Sequence, residues 1–483
     1  MTEDPSAPDQ WMSSSDAIIW EIESDPVLRS PITVVVWLDA APTDARVEAM
    51  IDRLMANVPR LRQRVVSAPA RLSTPRWETD PHFDRGFHVR RLRLSSGHAT
   101  HRDVLDHAQR MAARAFDRDR PPWELEVIDE LDDAPAACVI RLHHAIADGL
   151  GLVSVMQHMV DFEREPTESR DSETGNDETE TDIETHIEDD TTAGSRSSVE
   201  RFAAAAAHRA DTDRRDTQRV VTTSARTASE FVRRPLDTVR RLAATSMSIA
   251  KVIAPATTPL SPLMTERSTL LHMDAVTADL AVMKAAANRH GCTVNDAFVS
   301  IVADALVRYH QRHDEPAEAI RMHMPVSIRS SEAPGKLDNQ FTPTRFVLPL
   351  GEVDPIERLQ RTRTLLQEVR EQPALVHTAD ITATVRRLGD TASTSLIGAM
   401  MRGVDVTTSN VPGSPVPVYL AGARVTEFHG FGPLAGSAIN LTFFSYDGRA
   451  EIAISTDVAA VPDPEAFTAD LESAIADFAD LAD

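Results

Sequence analysis

The 483-residue chain is 42% apolar and 26% charged, usage that fits globular folding and excludes a wholly disordered chain. Its length exceeds one ordinary core and predicts two domains. A formal net charge of −24 excludes a general nucleic-acid binder, which needs Lys and Arg gathered on one face to neutralise phosphates.

Cys138 and Cys292 lie far apart and show no metal-ligand spacing, so neither a disulfide framework nor a metal site is expected. The first ten residues are acidic and proline-containing, unlike a signal peptide, and a cytoplasmic protein is expected. No apolar run approaches the roughly 18–20 residues that cross a bilayer, so any membrane contact would be peripheral.

In chain order, residues 1–163 read as a first α/β (α+β) domain. Ile32–Leu38 has the β-branched character of a strand, and Asp44–Leu54 repeats apolar residues at helical spacing. Ala136–Leu142 reads as a buried strand and Leu150–Phe162 as a helix. An acidic linker follows over 164–200. From Glu163 to Glu200 there are 14 acidic residues against 3 arginines, too polar to offset the entropy of ordering. Residues 201–262 form a basic connector, expected to be largely helical and to lie either on an anionic lipid surface or against the fold. Pro255, Pro259 and Pro262 mark its end.

Residues 263–483 read as a second α/β domain. Helices are expected at Ala278–His290, Val294–Arg312 and Asp463–Leu481, and strands near Ile320–Pro325 and Thr344–Leu350. Ile439–Ser445 and Ala450–Thr456 flank Asp447-Gly448, a tight-turn signal for a hairpin.

Chemistry concentrates in His143-His144-Ala145-Ile146-Ala147-Asp148-Gly149, between the predicted strand and helix. An imidazole accepts a proton at neutral pH and returns it within the same cycle, which makes His144 a candidate general base. Gly149 lets the chain turn into the helix. Asp148 would either contact the imidazole or pair with an arginine to hold the loop. A helix-capping role for these polar residues is the structural alternative, and metal binding lacks further ligands at suitable spacing. Asn295 reads as a helix N-cap and Asp296 as a first-turn charge. Asn410 and Gly413 sit in a turn-rich stretch able to approach a ligand.

The chain resembles the bacterial wax ester synthase/diacylglycerol acyltransferase family, relatives of the chloramphenicol-acetyltransferase-like enzymes with a His-x-x-x-Asp core. The resemblance rests on the double-His motif, Ser14-Ser15-Asp16-Ala17, Pro59-Arg60-Leu61-Arg62, Arg120-Pro121-Pro122-Trp123-Glu124, Val294-Asn295-Asp296-Ala297, Met324-Pro325-Val326-Ser327-Ile328-Arg329 and Thr408-Ser409-Asn410-Val411-Pro412-Gly413. It covers nearly the whole chain. Where the family has Pro-Leu-Trp, this chain has Pro121-Pro122-Trp123.

That resemblance implies two chloramphenicol-acetyltransferase-like domains, with mixed sheets flanked by helices and an active-site channel at their interface. It implies His144 as base, His143 as its support, and Asp148 as structural, with Arg329 the candidate partner of Asp148. Asn295 and Asp296 would support the site, and Trp123, Asn410 and Gly413 are candidates for the substrate channel. The expected substrates are acyl-coenzyme A and a long-chain alcohol or diacylglycerol, with no separate cofactor and with peripheral contact at a membrane or lipid droplet. A carrier-protein-dependent transferase and a non-catalytic lipid-binding protein of the same fold are the alternatives. Without Gly-x-Ser-x-Gly, a serine esterase is disfavoured.

Overall fold

Apolar, β-branched runs set the frame. In the computed structural model, which describes residues 11–94, 99–147, 149–165, 201–215, 218, 258–327, 341–371 and 390–482, the first such run forms β1 (Pro31–Leu38), buried along its full length. β2 (Gln63–Val66) and β3 (Arg76–Thr79) pair as a small separate ladder. The first half also supplies β4 (Val89–Leu92), β5 (Trp123–Asp129), β6 (Ala136–His143) and β7 (Val160–Asp161). The second half supplies β8 (Leu271–Asp279), β9 (Ala319–Ser327), β10 (Phe341–Pro349), β11 (Val406–Pro412) and β12 (Tyr419–Leu420). It ends with β13 (Ala423–Phe431), β14 (Ile439–Tyr446) and β15 (Arg449–Asp457).

These strands build two mixed sheets flanked by helices. One runs β4-β5-β6-β1-β13-β12-β7 and the other β10-β9-β11-β14-β15-β8. β13 belongs to the second half of the chain, yet it pairs antiparallel with β1 from Thr33↔Phe431 to Leu38↔Val425. The sheets therefore interleave across the connector.

Strand alternation orients the second sheet. Met322 and Met324 of β9, Phe346 and Leu348 of β10, Val406 of β11, and Ile439, Leu441 and Phe443 of β14 join a core with the Val294–Arg312 helix. The intervening residues point to the opposite face, because side chains alternate along a strand.

Several local expectations need correction. Helix Leu280–Arg289 begins two residues later than predicted, because Asp279 ends β8 and caps the amides of Ala281 and Val282. The N-cap of Val294–Arg312 is Thr293, in a reciprocal box with Asp296, so Asn295 is not the cap. The helix after the double-His motif spans Gly149–Gln157, and the chain then forms β7 against β12. The turn-rich 408–413 stretch is mostly strand: Thr408–Pro412 is the outer part of β11, paired in parallel with Leu441–Ser445 of β14, while only Val406 and Thr407 also pair with β9. In the connector, residues 201–215 are helical. The acidic linker from 166 to 200 and most of the connector lie outside the described residues.

Candidate active site

β6 delivers the two histidines to its C-terminal end. His143 is its last residue, paired with Pro31 of β1, and is fully buried. His144 follows in a turn, with its backbone amide donating to the Ser30 carbonyl at 3.0 Å. A strand held on both sides gives this turn a stiff support.

The buried imidazole of His143 has a defined hydrogen-bond pattern. Its Nδ1 accepts the Ala145 amide at 3.0 Å, so Nδ1 carries no proton and the ring proton sits on Nε2. Nε2 faces Glu23 Oε1 at 3.0 Å. Trp20 presents its ring edge-on to His143 at 4.8 Å, and Phe116 stands beyond at 5.9 Å. The same Glu23 oxygen accepts the Ser30 amide at 2.9 Å. Burial raises the Glu23 carboxyl, but His143, the Ser30 amide and Arg118 outweigh it and hold the group below its ordinary 4.5. Glu23 thus joins the side chain of His143 to the carbonyl-bearing residue that holds His144.

His144 lines a cavity of about 1100 Å³ walled by both sheets. Ile18, Ile19 and Ile22 of the Ser14–Ile22 helix, and Leu152, Val153 and Met156 of the Gly149–Gln157 helix, form apolar walls. Ile32 and Val36 of β1 and Val425 and Phe428 of β13 extend them. The second sheet contributes a polar floor: His323, Arg345, Thr407, Ser409, Asn440 and Thr442, the residues that alternate with its core-facing side chains. Burial, reinforced by Arg345, pushes His323 down to about 4, so that ring is neutral at pH 7.

The sequence candidates separate into groups. Asn410 and Gly413 line the cavity with His144. Asn295 does not, but its Oδ1 accepts from Asn410 Nδ2 at 3.2 Å, one step behind the wall. Asp296 is buried as part of its helix cap, 3.9 Å from Arg370. Trp123, expected in the channel, stands outside it: its indole donates to the Leu61 carbonyl at 2.7 Å and its ring stacks on His88. Asp148 and Arg329 lie outside the described residues, and Gly149 opens its helix. Sequence reading missed Glu23, His323 and Arg345. Glu23 carries no local spacing signal, whereas His323, polar between Met322 and Met324, was detectable as the odd position in a two-residue period.

Two family models account for most of the chain. The wax ester synthase/diacylglycerol acyltransferase catalytic domain matches residues 12–298, and the C-terminal domain of the same family matches residues 337–478. The chain belongs to this family. As a wax ester synthase/diacylglycerol acyltransferase family member it is an acyltransferase. A Mycobacterium tuberculosis protein assigned by name to the diacylglycerol O-acyltransferases is 30% identical over 460 residues, covering 95% of this chain and 89% of the relative. Another from the same organism, tgs1, is 26% identical over 424 residues, covering 86% and 84%. Among solved structures, the family enzyme from Marinobacter aquaeolei aligns with a TM-score of 0.62 at 18% identity, covering 97% of this chain and 98% of that one. A starter condensation domain of rhizomide synthetase aligns at 0.56 and 14% identity, covering 98% and 94%. Both likenesses concern the fold, and they fit a two-lobed, chloramphenicol-acetyltransferase-like architecture for this family member.

Proposed function

We propose that this acyltransferase moves a long-chain acyl group from acyl-coenzyme A to the hydroxyl of a fatty alcohol or diacylglycerol, with His144 as general base. The observation that carries the reading is the position of His144 at the end of a stiff strand, open to an apolar cavity of about 1100 Å³. The hydroxyl proton passes to the imidazole as the oxygen attacks the thioester carbonyl. Collapse of the tetrahedral adduct expels the thiolate, which takes the proton back from the imidazolium. The products are an ester and coenzyme A, and no covalent acyl-enzyme forms. His143 supports the loop from within the fold.

Apolar walls suit two hydrocarbon chains, because burying them releases roughly 25 cal/mol per Å². The same reading includes peripheral contact with a membrane or lipid droplet in the cytoplasm. Phe162 and Val416 both line the cavity and are 57% and 46% exposed, an apolar rim from which a lipid would enter. No described helix is long and apolar enough to cross a membrane.

The test is a purified-enzyme assay with palmitoyl-coenzyme A and a panel of long alcohols, monoacylglycerol and diacylglycerol. Acceptor-dependent release of coenzyme A thiol with an ester product by mass is expected. Turnover confined to a carrier-protein thioester would move the donor assignment, and no transfer from either donor would overturn the reading.

A further inference from the structure

The polar floor of the channel holds more hydrogen-bonding capacity than proton transfer at His144 requires. Strand register lines it up: Arg345 pairs with His323, His323 with Thr407, and Thr407 with Asn440. Directly paired residues share a face, and successive strands stand about 5 Å apart, so the four form a continuous row. All four line the cavity.

Asn440 is engaged within the protein, donating to the Pro433 carbonyl at 2.8 Å and accepting from Thr442 at 3.3 Å. Among the described residues, both ring nitrogens of His323 and the hydroxyl of Thr407 have no hydrogen-bond partner. Unpaired buried polar atoms are destabilising, and an apolar side chain would fit a strand already flanked by Met322 and Met324 without that penalty. The His323 nitrogens are covered while the residue is partly exposed to the cavity. A half-turn about Cβ–Cγ exchanges the nitrogen and carbon edges of the ring without changing its shape, and a ligand contact requires the orientation that turns a nitrogen to the channel.

A neutral imidazole offers one donor and one acceptor, a threonine hydroxyl offers both, and a guanidinium adds donors. A hydrocarbon chain satisfies none of these. We propose that His323 and Thr407, beside Arg345, form a polar step that binds a carbonyl-bearing segment of a substrate other than the reacting thioester. Two substrates carry such a segment: an acylglycerol acceptor through its ester groups, and the acyl donor through the amides of its pantetheine arm. The inference rests on the acyltransferase reading, and it separates acceptors that bear esters from plain alcohols.

The experiment uses full-length enzyme and the variants His323→Leu and His323→Gln. Equilibrium binding of dioctanoylglycerol, dodecanol and palmitoyl-coenzyme A is measured by calorimetry beside initial rates. His323→Leu is expected to weaken dioctanoylglycerol about 5- to 10-fold, the size of one lost hydrogen bond, to spare dodecanol, and to leave thermal stability unchanged or higher. His323→Gln, which keeps a donor and an acceptor, restores most of the affinity. Weakened palmitoyl-coenzyme A binding instead assigns the step to the pantetheine amides. Unchanged binding of all three ligands overturns the proposal, as does a fall of several degrees in the melting temperature of His323→Leu. Ligand binding that depends on His323 without any turnover would sink the acyltransferase reading and leave the polar step standing.

Discussion

Glu23 Oε1 stands 3.0 Å from Nε2 of His143 and accepts the amide of Ser30, whose own carbonyl receives the amide of His144. One carboxylate, carried on the residue that caps the Ser14–Ile22 helix at its C-terminus, therefore reaches both histidines. Replacing Glu23 with Gln removes the charge from both contacts. Contacts to a charged acceptor are worth about 1.5–3 kcal/mol each, so kcat is expected to fall about 10- to 100-fold if the loop loses its alignment. KM should change little, since Glu23 does not line the cavity. Steady-state kinetics on a folded variant measures both, and a larger effect on KM than on kcat would contradict the arrangement.

Removing the base itself has a different signature. His144→Ala is expected to lower kcat by roughly 10²–10⁴-fold, the usual contribution of a positioned acid-base group. His144 is only partly buried, so the melting temperature should stay close to that of the parent. Turnover near the parental rate in a folded variant would take residue 144 out of the chemistry.

A pH dependence follows from His323. Its pKa of about 4 lies below the ordinary 6.5 because burial, aided by Arg345, disfavours the charged ring. Between those values the unfolded chain binds the extra proton, so folding stability falls as pH falls. The contribution is present in full above pH 6.5 and lost progressively down to about 4. Thermal melts across that window should give a shallower slope for His323→Leu than for the parent. Parallel curves would show that His323 does not titrate this way.

Gly413 tests the channel wall. A Cβ there would collide with the Ser445 carbonyl and the Phe444 ring, while the Gly413 amide donates to Ser445 Oγ at 3.2 Å. Gly413→Ala is expected to cost about 1–3 kcal/mol as β11 is pushed off β14. Denaturant unfolding would reveal it as a lowered midpoint, and an unchanged midpoint would mean that the strand end yields freely.

Legibility in the sequence followed the range of the interaction. β1 and β6 were readable because central strands buried on both faces keep apolar residues almost throughout. The bounds of the Val294–Arg312 helix were readable from its apolar spacing, although its cap is Thr293 with Asp296, three residues apart, and not the expected Asn295. The 439–457 hairpin was readable from Asp447-Gly448, whose φ values of 45° and 80° suit a tight turn. Glu23 was not, because its partners Ser30 and His143 meet it only after β1 pairs with β6. β13 also went unread. Its role depends on β1, nearly 400 residues earlier, and Gly430 and His429 interrupt its apolar pattern.

That pairing also sets a timetable for synthesis. The ribosome finishes β6 at His143, but the partner for the open side of β1 ends at Phe431, roughly 290 residues later. At about 5–20 residues per second the nascent chain carries an apolar sheet edge for roughly 15–60 s before it can be covered. Such an edge is a template for pairing with other chains. Production of soluble enzyme should therefore respond to chaperone supply and to slower, cooler expression, and fragments cut at the connector should aggregate unless both pieces are made together.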